Sequence, residues 1–243
     1  MTSLECKMQG ARSKFLLLTG CIAAFVGGAA TEARSEADLR GGWIPEAYVA
    51  SLQTVDGKPP PLRPQAKVLL EQRIATRKAA KSDDPALLCQ PAGIPRLMYQ
   101  SRPFLVVQTP LKVTFAHEYQ HSLRHIYLED NPKAGDEPTW QGRSTGRWEG
   151  EELVVNTTGF NDRTWLDEAG LPHGAQLKVQ ERFRRIDASR MEARIVIDDP
   201  ENYTAPWSTK LVFKAAPTER LNAHICTESL FPEPPNARPR PGR

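Results

Sequence analysis

The stretch Leu177-Lys178-Val179-Gln180-Glu181-Arg182-Phe183 alternates apolar and polar side chains with a period of two. Successive side chains of a strand point to opposite faces, so Leu177, Val179 and Phe183 mark an inward face. Glu181 falls on that same face. A carboxylate turned toward the interior of a small barrel needs a basic partner, a ligand, or a pKa raised enough to keep it neutral. The segment that argues for a sheet thus also nominates a candidate for chemistry.

Outward from this strand the same texture recurs. The runs 104–109, 111–116, 123–129, 152–158, 176–186, 190–197 and 210–213 are rich in β-branched and aromatic residues and are separated by Gly, Pro, Asn and Asp clusters. Short strands at such spacing predict a mainly β, antiparallel sandwich or barrel. Further upstream Pro64 can open a helix, with Ala66, Leu69, Leu70 and Ile74 on its apolar face and Lys67, Arg73, Arg77, Lys78 and Lys81 on its solvated side. Asp83-Asp84-Pro85 ends it. Residues 31–63, with Gly41-Gly42, Pro45 and Pro59-Pro60-Pro61, read as an extended lead-in. The expected organisation is 31–83 for lead-in and helix, 84–230 for the barrel, and 231–243 for a disordered tail with five prolines in thirteen residues.

Residues 1–30 carry Lys7, Arg12 and Lys14, then an apolar run ending in Gly27-Gly28-Ala29-Ala30, the parts of a secretory signal peptide. Leu18-Thr19-Gly20-Cys21 also spells a lipoprotein box, but the apolar run continues past Cys21 where a lipidated cysteine would close it. The expected location is therefore periplasmic or secreted, with a lipid anchor at Cys21 as the weaker reading. No other segment has the ~20 apolar residues that a spanning helix needs.

Loss of residues 1–30 removes Glu5 and three basic residues, so the formal charge of +3 falls to +1. That balance argues against a nucleic-acid partner. It also leaves Cys89 and Cys226 as the remaining cysteines, which an oxidising compartment favours joining. Two buried thiols are the alternative.

His117-Glu118-Tyr119-Gln120-His121 spells H-E-x-x-H. On a helix the two histidines share a face and can hold zinc, with the glutamate as general base. Val113-Thr114-Phe115 before it and Ile126-Tyr127-Leu128 after it favour strands instead. A third ligand is not evident; His125 is the nearest further candidate.

Several blocks resemble a large family of secreted bacterial proteins. They include Asp84-Pro85, Cys89-Gln90-Pro91-Ala92-Gly93-Ile94-Pro95-Arg96, Gly142-Arg143-Ser144-Thr145-Gly146-Arg147-Trp148-Glu149-Gly150 and the run from Leu153-Val154-Val155 through Gly159-Phe160-Asn161-Asp162-Arg163-Thr164-Trp165-Leu166-Asp167. Glu181-Arg182-Phe183-Arg184-Arg185 and Tyr203-Thr204-Ala205-Pro206-Trp207 continue the match, which spans about residue 60 to Glu228. The resemblance implies a lipocalin-like (calycin-type) barrel. It implies Glu and His at the positions of Glu118 and His121, an aromatic residue at that of His117, and two arginines at those of Arg124 and His125. His173 matches. Arg143 stands where the family has an aromatic residue or His, and Ala175 where it often has an acid, so the pocket of this chain is expected to be remodelled.

Three functions follow as expectations. The first is a cofactor-independent acid/base enzyme of lyase or isomerase type, acting on a small aromatic or hydroxylated molecule in the barrel cavity. His121 and His173 would move protons with Glu118 or Glu181 orienting them. Trp140, Trp148, Trp165 and Trp207 would form an aromatic wall, joined by Asn161, Tyr203 and Arg143 in substrate binding. The second is a periplasmic binding protein using the same cavity. The third is a zinc metallohydrolase built on His117, His121 and His125.

Overall fold

A computed structural model describes residues 38–79, 81–128, 137–218, 220–223 and 226. The expected signal peptide, the alternative lipid anchor at Cys21 and the proline-rich tail lie outside the described residues. Among them, nine strands close into a barrel: β1 (Gly41–Pro45), β2 (Phe104–Gln108), β3 (Lys112–His117), β4 (Leu123–Tyr127), β5 (Arg143–Glu149), β6 (Glu152–Thr158), β7 (Lys178–Arg185), β8 (Arg190–Asp198) and β9 (Trp207–Ala215). The fold is mainly β and lipocalin-like, with one α-helix, α1 (Pro64–Lys78), between β1 and β2.

Each strand pairs with its chain neighbour, and β1 pairs with β9 to close the ring. All of these pairings are antiparallel except β4 with β5, which run parallel and meet at only two positions, Ile126 with Ser144 and Tyr127 with Thr145. The expected all-antiparallel barrel is corrected at that one seam. A hairpin reverses the chain in two residues, whereas β4 reaches β5 through the longer 128–142 connection, which can return the chain in the same direction.

The β5–β6 hairpin shows why local sequence suffices elsewhere. Glu149 pairs with Glu152, leaving a two-residue loop in which Gly150 has φ +65°. Tight turns between twisted strands need a positive φ at that first position, which glycine adopts without a steric cost.

The lead-in is more than a tether. Gly41–Pro45 supplies the strand that closes the barrel, and Leu39, Trp43 and Leu52 are all fully buried. Trp43 Nε1 donates to Leu39 O at 2.9 Å, and the Arg185 guanidinium lies 4.8 Å from the Trp43 ring centre. A nine-stranded ring needs a partner for both β2 and β9, and an unpaired edge there would expose backbone donors and acceptors.

Helix α1 buries less than its pattern suggests, with Ala66 as its one fully buried residue. Arg73, expected on the solvated side, instead sits 4.7 Å from the Trp165 ring centre and donates to Gly170 O at 3.0 Å. A guanidinium over an aromatic face is held there by the ring's negative π-surface.

Inside the barrel, phenyl rings from β2, β3, β7 and β9 meet. Phe104 contacts Phe115 at 5.7 Å and Phe213 at 5.3 Å, and Phe115 contacts Phe183 at 5.1 Å between centroids. A barrel of this size is just wide enough for inward side chains to fill it. Cys89 and Cys226 form a disulfide, tying the start of the barrel domain to its end. No helix of the described residues is long and apolar enough to cross a membrane.

Candidate functional site

The H-E-x-x-H segment does not form the helix that zinc ligation would need. His117 closes β3, and Tyr119–His121 make a single 3-10 turn in which Gln120 (φ 52°) and His121 (φ 49°) take left-handed conformations. Strand alternation sends His117 inward and places His125 on the outer face of β4, so the two cannot share an ion. His121 is exposed on the turn. Among the described residues no three His, Cys, Asp or Glu side chains are grouped to hold a metal.

His117 occupies an aromatic slot, with ring centres 5.0 Å from Phe104 and 6.5 Å from Phe115. Its Nε2 is buried without a hydrogen-bond partner. Burial, reinforced by the Arg124 cation, pushes its pKa down to about 3. The unfolded chain takes up a proton near 6.5 while the folded imidazole stays neutral. Stability from this residue is therefore full above pH 6.5 and is lost as pH falls toward 3, by up to ~1.4 kcal/mol per pH unit. His117→Phe is expected to shrink the loss between pH 7 and pH 5 by about 2 kcal/mol in urea titrations.

The other nominated groups sit in separate networks. Glu118 accepts hydrogen bonds from Asn222 N at 3.0 Å and Arg102 Nη1 at 2.9 Å, and these, the backbone donor first, hold its pKa below the usual carboxylate range. It fastens the C-terminal segment to the end of β3. Glu181 is fully buried and finds its partner in Arg124 of β4, across the interior. Arg124 Nη1 donates to Glu181 Oε1 at 2.9 Å and its Nη2 to Oε2. The same guanidinium reaches Ser144 Oγ at 3.2 Å and Thr157 Oγ1 at 3.1 Å.

His173 is buried with both ring nitrogens engaged, Nε2 with Thr164 Oγ1 at 2.6 Å and Nδ1 with Gly174 O at 3.0 Å. Burial lowers its pKa. These contacts lock the 159–174 loop and leave the ring no open nitrogen. Thus Glu118, Glu181 and His173 do not converge on one reacting centre.

The nominated aromatics also disperse. Trp165 lies under Arg73, Tyr203 donates its hydroxyl to Pro172 O at 2.9 Å, and Trp207 packs 5.5 Å from Tyr203. Trp148 packs against the core, and Asn161 shapes its own turn through Arg163 N. These placements describe core and loop packing, with Arg143 the exception.

Arg143 and His125 line a cleft of about 650 Å³ on the outer wall, along the β4–β5 seam. The cleft exists because the two strands meet at only two positions and then part toward their N-terminal ends. Leu123, His125 and Tyr127 form one side, all on the outward face of β4. Arg143 and Thr145 of β5, with Asn156 of β6, form the other. Trp140 and Gln141 cover one end from the loop before β5. That loop is pinned by a bridge of Thr139 to Phe160, with Thr139 N donating to Gly159 O at 2.9 Å.

Local geometry sets the polar groups. Arg143 Nη1 donates to Glu137 O at 2.6 Å, and its guanidinium lies over Gly159. Gly159 has φ +72°, and a β-carbon there would come within 2.6 Å of Arg143 Nη2. Only a residue without a side chain admits both that backbone and that arginine. Asn156 Oδ1 accepts from Gln180 Nε2 at 3.0 Å, which leaves its amide NH₂ for the cleft. His125 Nδ1 is 3.0 Å from Thr114 Oγ1. Partial burial, then the Lys112 charge, lowers the His125 pKa.

The chain matches no protein-family model and no curated protein. Sequence reasoning missed Tyr127, Gln141 and Asn156 as wall residues. Alternation along Leu123–Tyr127 marks Tyr127 as outward-facing, but nothing local to the strand shows that its outer face borders a gap.

Proposed function

We propose that the protein is a secreted or periplasmic barrel that binds a small aromatic molecule in the cleft along the β4–β5 seam. The cleft itself carries this reading. Its volume falls within the 300–1,000 Å³ typical of ligand sites, and it combines Trp140, Tyr127 and Leu123 with a few polar groups. The closed barrel supports the resemblance to the secreted bacterial family, and the disulfide supports an oxidising compartment.

The test is a thermal-shift and fluorescence screen against small aromatic compounds. Trp140→Ala is expected to weaken any hit at least tenfold, about 1.4 kcal/mol, while the melting temperature of the free protein stays nearly constant. Trp140 is half-buried on a loop, so its truncation leaves the core intact. Equal affinity in the variant would reject the cleft as the site.

Acid/base catalysis is the second reading, and one observation favours placing it in the same cleft. His125 lines the cleft with Nδ1 tied to Thr114 Oγ1 at 3.0 Å, and partial burial lowers its pKa, which favours the unprotonated ring a general base requires. Turnover of a bound compound that disappears in His125→Ala, with binding retained, would establish the enzyme.

A further inference from the structure

Fourteen described residues line the cleft, and none of them is acidic. Two are cationic. Arg124 is neutralised by Glu181 and points into the barrel. Arg143 forms no ion pair with any described carboxylate; its one hydrogen bond to a described residue is Nη1 to the Glu137 carbonyl, so Nε and Nη2 keep their donors for something else. The Asn156 amide stands on the neighbouring strand, one residue pair further along the same outer face. Among the described residues the cleft is therefore an aromatic wall beside a planar fork with no ion-pair partner.

From that arrangement we infer that the cleft selects an anionic aromatic ligand, an aryl carboxylate, with the carboxylate on Arg143 and the ring against Trp140 and Tyr127. A guanidinium matches a carboxylate through two parallel N–H···O bonds, stronger than those to a neutral amide. The Glu137 carbonyl and the absent β-carbon at Gly159 hold the fork in place before the ligand arrives, which lowers the ordering cost on binding. The inference rests on the reading of the cleft as the ligand site and names the class of ligand for it.

Isothermal titration with matched pairs separates the two claims. The probes are 4-hydroxybenzoate with 4-hydroxybenzamide, and 2-naphthoate with 2-naphthamide. Each carboxylate is expected to bind at least tenfold tighter than its amide, and Arg143→Gln should bring the ratio close to one. Arg143→Lys keeps the charge but loses the fork, so it should retain only part of the preference. It also serves as the folded control should the glutamine variant prove unstable. Equal binding of acid and amide to the wild type would overturn the anion inference and leave the cleft reading standing. An acid preference unchanged in Arg143→Gln would overturn the assignment to Arg143. Binding of no probe to the wild type, or binding that Trp140→Ala leaves untouched, would overturn the cleft reading and this inference with it.

Discussion

Glu181→Ala is expected to destabilise the barrel by about 3–5 kcal/mol, because it strands the Arg124 cation in a dry interior. The side chains of both partners are almost wholly excluded from solvent, at 2% and 0% exposure for Arg124 and Glu181. The Ser144 and Thr157 hydroxyls also hold Arg124, but they carry no charge to offset it. Arg124→Met should cost a similar amount by leaving the Glu181 carboxylate buried without its partner. The double variant Arg124→Met/Glu181→Leu removes both charges, and Ser144 and Thr157 can still bond each other at their present 2.8 Å. It is expected to recover most of the loss, since a buried ion pair is often worth no more than an apolar pair of like volume. Urea unfolding of the wild type, Arg124→Met, Glu181→Leu and the double variant gives the coupling directly. Single variants that each lose less than about 1 kcal/mol would show that water reaches the pair.

Cys226→Ser is expected to cost between about 2 and 5 kcal/mol. The disulfide closes a loop with a sequence separation of 137 residues, and long loops leave the most chain entropy to the reduced unfolded state. Glu118 holds Asn222, four residues before Cys226, so the segment has a second tether. The losses in Cys226→Ser and Glu118→Gln should therefore combine less than additively when both are made. Reductant should shift the wild-type urea midpoint to that of Cys226→Ser and leave the variant unmoved. A wild-type midpoint insensitive to reductant would show that the bond stabilises little.

Much of the fold was readable without coordinates. The period-two pattern of 177–183 put Val179, Glu181 and Phe183 inside, and all three are buried there. Cys89 and Cys226 join as expected. The H-E-x-x-H pattern was a weaker guide than its flanks, whose strand-forming residues continue as β3 up to His117. His117 instead fills a slot beside the rings of Phe104 and Phe115. The tryptophans misled because residue type records how much apolar surface a side chain buries, not which neighbour covers it. Trp165 meets Arg73 from a helix 90 residues upstream, while Trp140 alone of the four expected wall residues borders the cleft.

The sequence by itself indicated seven of the nine strands, the inward face of 177–183 and the pairing of Cys89 with Cys226, because side-chain alternation and turn chemistry act over a few residues. The tertiary structure decided that Gly41–Pro45 closes the ring, that Glu181 meets Arg124 from three strands away, and that β4 and β5 run parallel and part to leave a cleft. Those outcomes depend on which distant segments lie side by side. A strand's own residues encode its pleat, but its neighbour is chosen by the closure of the whole barrel.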